Sequence, residues 1–234
     1  MNKEEFIEEV RKLGIDLNKK QLEQLQLYYE LLIDYNSKIN LTSITKEEDV
    51  YLKHFYDSLT LIKAIDLTKE LSLCDIGTGA GFPGLVLKIV FPNLKITLLD
   101  ALNKRVTFLT EVIEKLSLTN IEVYHERCED YFKKTGKTFD ILVARAVAKT
   151  NILLELGCQG LNKGSHFILM KGEVQKEKEE AQEACLKLGF SLQENIEFYL
   201  PKEESKRTIL VYKKEKDTTN LYPRAFYQIK KNPL

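Results

Sequence analysis

Little freedom of fold is left to a chain that carries Leu73-Cys74-Asp75-Ile76-Gly77-Thr78-Gly79-Ala80-Gly81-Phe82-Pro83-Gly84 and then Leu98-Leu99-Asp100. Apolar runs flank a turn with glycines at 77, 79 and 81, which predicts a strand, a turn, a helix and a second strand ending in a carboxylate. Residues without a Cβ let the backbone approach a ligand closely and adopt positive φ where needed. Pro83 suits the first helical turn, where its missing N–H is no loss. Asp100 can accept hydrogen bonds from both hydroxyls of a ribose. Together these features describe a cradle for a nucleoside.

Beyond the turn, short β-rich runs alternate with helical ones: Leu71–Ile76, Lys95–Leu99, Ile121–His125, Phe139–Ala144 and Ser165–Met170. Such alternation predicts an α/β fold, a Rossmann-like, doubly wound and mostly parallel sheet with ligands at the carboxyl ends of the strands. After a helix over about 173–188, read as acidic and mostly solvated, Ser191–Leu200 and Arg207–Tyr212 lie too close together for a helical crossover. They are expected to form an antiparallel hairpin that finishes the sheet. Residues 1–70 show helical spacing, with Phe6, Val10 and Leu13 on a short helix and Leu22, Leu25, Tyr29 and Leu32 on a longer one. The organisation expected is a helical section (1–70), an α/β domain (71–214) and a basic, aromatic tail (215–234) packed on or near the active site.

Composition narrows the partners. Thirty-five Lys and Arg balance 35 Asp and Glu, so no global basic field favours indiscriminate nucleic-acid binding, and an RNA would have to be met by a local patch. One such patch is the tail: Lys206, Arg207, Lys213, Lys214, Lys216, Arg224, Lys230 and Lys231 outnumber Glu215 and Asp217 by six, with Tyr212, Tyr222, Phe226 and Tyr227 interleaved. Cys74, Cys128, Cys158 and Cys185 are widely spaced, form no metal-ligand pattern and are expected as reduced core residues. With a charged amino terminus and no run of 18 apolar residues, the expectation is a cytoplasmic monomer with no membrane contact and no metal.

Two chemistries satisfy the glycine turn. Gly79 to Gly84 matches G-x-G-x-x-G, and Asp100 lies 21 residues after Gly79, as a dinucleotide enzyme would require. An S-adenosylmethionine-dependent methyltransferase is favoured by Asp75 two residues ahead of a Gly-x-Gly-x-Gly series and by the closing hairpin. A nicotinamide domain would end in a sixth parallel strand, and no chain is left for a substrate domain. Gly77, Gly79, Gly81 and Phe82 would then cradle the methionine part, Asp100 would hold the ribose, and Cys128, through its backbone, and Glu129 would read the adenine edge. Arg145, just past the fourth strand, would position the cofactor tail or the acceptor. No Asn/Asp-Pro-Pro-Tyr segment or Pro-Cys pair is present, and no activated nucleophile is visible. A ring nitrogen with a free lone pair needs no general base, which fits guanine N7. His54 and Asp57, three apart, share a helical face. A catalytically silent, nucleotide-sensing RNA-binding protein is the alternative reading.

The ordered set resembles one family nearly end to end, the bacterial 16S rRNA guanine-N7 methyltransferases once called glucose-inhibited division protein B. It comprises Tyr35-Asn36 with Asn40-Leu41-Thr42, the His54/Asp57-Ser58-Leu59 segment, Asp75 to Gly84, Asp100 with Lys104-Arg105, and Arg127-Cys128-Glu129. Further on it includes Arg145-Ala146-Val147-Ala148, Lys171-Gly172, Tyr222-Pro223-Arg224 and the closing Lys231-Asn232-Pro233-Leu234. The resemblance implies methylation of a guanosine in the decoding-centre loop, position 527, of the rRNA in the small ribosomal subunit. It also implies cofactor contacts at Gly77, Phe82, Cys128, Glu129 and Arg145. Beside that resemblance, Lys104, Arg105, Arg224, Lys230 and Lys231 are expected to meet RNA phosphate, and His54 and Asp57 are candidates for contact with the substrate RNA. Ala225-Phe226-Tyr227-Gln228-Ile229 stands where the family usually has a turn with Gly and Pro.

Overall fold

A computed structural model describes residues 1–234, the side chain of Gln175 aside. Two capped helices begin the chain: α1 (Lys3–Lys12), closed by Asn2 and Glu5, and α2 (Lys19–Ile39), closed by Asn18 and Gln21 in reciprocal side-chain to backbone bonds. Asn40, at a φ of 46°, ends α2. A short α3 (Glu47–Val50) runs into a π-helical stretch, Tyr51–Tyr56, followed by α4 (Asp57–Leu59) and a 3₁₀ turn, Thr60–Lys63.

The α/β part then alternates β1 (Ser72–Ile76), α5 (Gly84–Val90), β2 (Lys95–Asp100), α6 (Asn103–Lys115), β3 (Ile121–His125), α7 (Cys128–Thr135), β4 (Phe139–Arg145), α8 (Thr150–Gly157) and β5 (Leu161–Lys171). It ends in α9 (Gln175–Glu180), α10 (Gln182–Leu188), β6 (Phe190–Tyr199), β7 (Lys206–Lys214) and α11 (Phe226–Lys231). The sheet order is β3-β2-β1-β4-β5-β7-β6. β1 to β5 are parallel, whereas β7 runs antiparallel to both β5 and β6. The hairpin therefore inserts its second strand next to β5 and leaves β6 at the edge.

The direction of winding reverses between β1 and β4, which opens a crevice at their carboxyl ends. Period-2 alternation sends Leu73 of β1 to one face and Cys74 and Ile76 to the other. On the first face, α5 and α6 share a core with the amino-terminal helices: Tyr28 lies 5.5 Å from both Phe55 and Phe82, ring to ring, and 6.5 Å from Phe108. On the second, α7, α8 and α10 pack with Ile229 of the tail. The expected single helix at 173–188 is instead two short ones that meet at Ala181, and it is not mostly solvated, since Ala181, Ala184 and Leu188 are buried. Cys185 is only partly buried, unlike the other three cysteines.

Tail residues are fixed from below. Buried Lys214 donates to the carbonyls of Cys158 at 3.0 Å and Leu188 at 2.8 Å, and burial pushes its ammonium down to about 8. Asn151 Nδ2 holds the Leu234 carbonyl at 2.7 Å. Among the described residues no helix is long and apolar enough to cross a membrane.

Candidate active site

The glycine turn folds around Asp75, whose Oδ2 accepts from Thr78 Oγ1 at 2.7 Å and the Gly84 N–H at 2.8 Å. Burial raises this carboxyl to about 6, although those two hydrogen bonds pull the other way. Gly77 and Gly81 have φ of 65° and 100°, which side-chain-bearing residues avoid. Their surroundings differ. A Cβ on Gly77 would lie 2.9 Å from Val147 Cγ2, at a cavity wall, whereas one on Gly81 would strike Leu85 and the Tyr28 hydroxyl in the core. Gly81 thus serves helix packing rather than the ligand surface.

Beside the turn lies a cavity of about 350 Å³, walled by Gly77, Asp100, Arg127, Cys128, Glu129 and Val147, with Phe226 and Lys230 of the tail at its edge. The Arg127 guanidinium sits 3.6 Å above the Phe226 ring. Glu129 occupies the first turn of α7, where the helix dipole favours a carboxylate. Its Oε1 is buried without a hydrogen-bond partner; Arg127 Nε, at 3.6 Å, is too distant to satisfy it. Such an orphaned acceptor suits a donor carried in by a ligand.

Asp100 also lines this cavity, but its oxygens are largely used. Oδ2 accepts from the Gly79 N–H at 2.9 Å and Arg105 Nη1 at 3.2 Å, and Oδ1 from the Leu102 N–H at 2.9 Å. A carboxylate offers about four lone-pair positions, so room remains for one ribose hydroxyl while Arg105 stays in place. The expectation that Asp100 takes both therefore requires Arg105 to move.

A second cavity, of about 520 Å³, abuts the first across Val147 and Ala148 and is lined by Lys53, His54, Asp57, Arg145, Lys171 and Arg207. Arg145, at the end of β4, donates Nη1 to the Lys53 carbonyl and to Asp57 Oδ2, each at 2.9 Å. Arg207 Nε meets the other oxygen, Oδ1, at 3.2 Å. One carboxylate thus joins residues 88 and 150 positions away in the chain. His54 stacks on Phe82 at 4.3 Å and places Nδ1 3.1 Å from Arg145 Nη2 and Nε2 3.0 Å from Thr42 Oγ1. Since Arg145 can only donate, Nδ1 accepts and the proton sits on Nε2, an assignment made from the partners. Burial first, then the Arg145 charge, drives this imidazole down to about 3.

The residues expected at the site fall into three groups. Gly77, Asp100, Cys128, Glu129 and Lys230 meet at the first cavity, and His54, Asp57 and Arg145 at the second. Phe82 lines neither and instead carries His54 and, at 5.2 Å, the Arg145 guanidinium. Gly79 gives its N–H to Asp100. The cations expected on RNA phosphate are largely committed elsewhere: Lys104 to the Ile39 carbonyl at 3.1 Å, Arg105 to Asp100, and Arg224 through Nε, at 2.7 Å, to the fully buried Glu155. Lys231 remains exposed. Arg207, counted in sequence only as part of a basic tail, belongs to the second cavity, as do Lys53 and Lys171. Asn40-Leu41-Thr42 and Lys171-Gly172, already part of the family pattern, were the available signals for Thr42 and Lys171.

A doubly wound sheet with a reversed penultimate position, and a glycine-walled cleft at its switch point bearing a carboxylate at the end of β2 and another after β3, is the arrangement of the class I methyltransferases. A solved methyltransferase from Pyrococcus furiosus shares the fold, with a TM-score of 0.54 at 19% identity over 82% of this chain and 98% of its own. The family described as rRNA small subunit methyltransferase G matches residues 21–209. Curated relatives called ribosomal RNA small subunit methyltransferase G are 49% identical in Lachnoclostridium phytofermentans, over 98% of this chain and 96% of the relative. The one in Oceanobacillus iheyensis is 45% identical over the whole of both chains. The chain belongs to the rRNA small subunit methyltransferase G family.

Proposed function

We propose that this protein transfers a methyl group from S-adenosylmethionine to N7 of a guanosine in small-subunit rRNA, the decoding-centre nucleotide at position 527, in the cytoplasm. The observation that carries this reading is the pair of abutting cavities, one with a single orphaned acceptor and the other with every candidate base already engaged. S-adenosylmethionine, when bound, supplies a methyl group on a positively charged sulfur.

Glu129 Oε1 receives the adenine amino group, with the Cys128 backbone alongside, and Asp100 receives a ribose hydroxyl. Gly77 leaves room for the methionine part. Phe226, stacked under Arg127, covers part of the tail side. In the second cavity, the His54 lone pair is held by Arg145, and Asp57 is held by Arg145 and Arg207. Neither is available to remove a proton, which supports an acceptor that needs none removed. Arg145 and Arg207, fixed by Asp57, orient the acceptor nucleotide from its phosphate or base edge, and Lys230 and Lys231 meet the RNA backbone at the rim. The substrate is rRNA or the small subunit.

Calorimetric titration tests the cofactor side. S-adenosylmethionine is expected to bind with one-to-one stoichiometry and NAD not at all; NAD binding in its place would overturn the reading.

A further inference from the structure

Three observations meet at Ala146–Ala148, between β4 and α8. Val147 and Ala148 line both cavities, so any group passing from one to the other goes by this segment. Ala146 has a φ of 56°, left-handed backbone that persists only where the surroundings impose it. Val147 is 40% exposed, yet its two γ-methyls stand 2.9 and 3.0 Å from where a Cβ on Gly77 would be. An apolar side chain is held at the mouth of two clefts rather than turned inward.

The brace that imposes this place comes from β5 and α9. Lys171 Nζ donates to the Ala148 carbonyl at 2.6 Å and to Glu177 Oε2 at 2.7 Å. The same Oε2 accepts from the Thr150 N–H at 3.0 Å and its hydroxyl at 2.9 Å. One carboxylate oxygen therefore fixes both the lysine that grips residue 148 and the first residue of α8. The Lys171 side chain is 8% exposed, so water competes little for these bonds.

We propose that Lys171 and Glu177 are positioning residues for methyl transfer, setting the place of Val147, the side chain that divides the two cavities over Gly77, through the carbonyl of Ala148. This rests on the reading of the cavities as cofactor and acceptor sites. In-line displacement needs donor and acceptor aligned closely, and a shift of about 1 Å in the groups that position them is enough to slow it by about 100-fold.

The test compares Lys171→Met, Lys171→Arg and Glu177→Gln with Val147→Gly and the Lys171→Met/Val147→Gly double variant. Each is assayed by calorimetry with S-adenosylmethionine and by steady-state methylation of small subunits. We expect Lys171→Met to lower kcat at least tenfold while the cofactor Kd and the KM for RNA stay within about threefold, and Lys171→Arg to recover most of the loss. In the Val147→Gly background the Lys171→Met penalty shrinks, because the side chain being positioned is gone. Equal penalties in both backgrounds, or a loss confined to the KM for RNA, would mean that Lys171 touches the substrate directly and would overturn the proposal. So would an unchanged kcat. Failure of the wild-type chain to bind S-adenosylmethionine would instead remove the reading on which the proposal stands.

Discussion

Replacing Asp57 by asparagine takes one negative charge from between two guanidiniums while keeping the side-chain shape. Oδ2 faces Arg145 at 2.9 Å and Oδ1 faces Arg207 at 3.2 Å, so whichever way the new amide turns, its NH2 meets an arginine that can only donate. The Asp57 side chain is 8% exposed, and those of Arg145 and Arg207 are 13% and 22% exposed. Breaking a buried pair from one side costs about 3–5 kcal/mol, and partial rehydration of the two guanidiniums places the effect at the lower end, about 3 kcal/mol. For a chain of this length that corresponds to a fall in Tm of roughly 6–12 °C. Asp49→Asn is the matched control: its ion pair with Lys53, at 2.9 Å, is 38% exposed on the aspartate side, and less than about 1 kcal/mol is expected. Scanning calorimetry at low and high salt reads both. A Tm for Asp57→Asn within about 2 °C of wild type would refute the view that this carboxylate joins the amino-terminal helices to the sheet.

Three further outcomes follow from the same geometry. Glu129→Gln is expected to weaken S-adenosylmethionine binding by roughly 10- to 100-fold, the range for a hydrogen bond to a charged group, without lowering Tm, since the charge it removes is buried beside an unpartnered oxygen; unchanged affinity would sink that assignment. Gly77→Ala should lower Tm by roughly 2–8 °C and impair cofactor binding as Val147 gives way, and calorimetry with and without ligand separates the two effects. His54 refuses a proton down to about pH 3 against an ordinary 6.5, so between those values the unfolded chain binds the extra proton and stability falls as pH falls, by up to about 1.4 kcal/mol per unit. Asp75, raised from 3.8 to about 6, works oppositely: its share of stability is complete below 3.8 and is lost as pH rises through 6. The difference in Tm between wild type and His54→Gln, followed from pH 7 to 5, isolates the histidine, and parallel curves would contradict its being held neutral.

All seven strands were legible in sequence because each is a short β-rich run, apolar throughout or alternating apolar with polar, bounded by turn chemistry, and even the reversal of the last pair followed from the short link through Pro201. The glycine turn was legible for the same local reason. What escaped lies in contacts between distant residues. Arg207 belongs to Asp57 across 150 positions, and Arg224 to Glu155 across 69; neither leaves a periodic trace, so both arginines read as cations of a basic tail free to meet RNA phosphate. Asp100 was legible as a cleft residue but not as one already holding Gly79, Leu102 and Arg105. The buried face of the 173–188 segment was hidden because alanines carry little hydrophobic signal even where, as at 181 and 184, they are buried completely.

Methyl transfer to a guanosine ring nitrogen without a general base is read out by incubating the protein with tritiated S-adenosylmethionine and small ribosomal subunits from a strain lacking the modification. Digestion of the rRNA to nucleosides is expected to place all label in 7-methylguanosine from a single position in the decoding-centre loop. Label in any other nucleoside, or binding of both partners with no transfer, would rule out methyl transfer to guanine N7 by this protein.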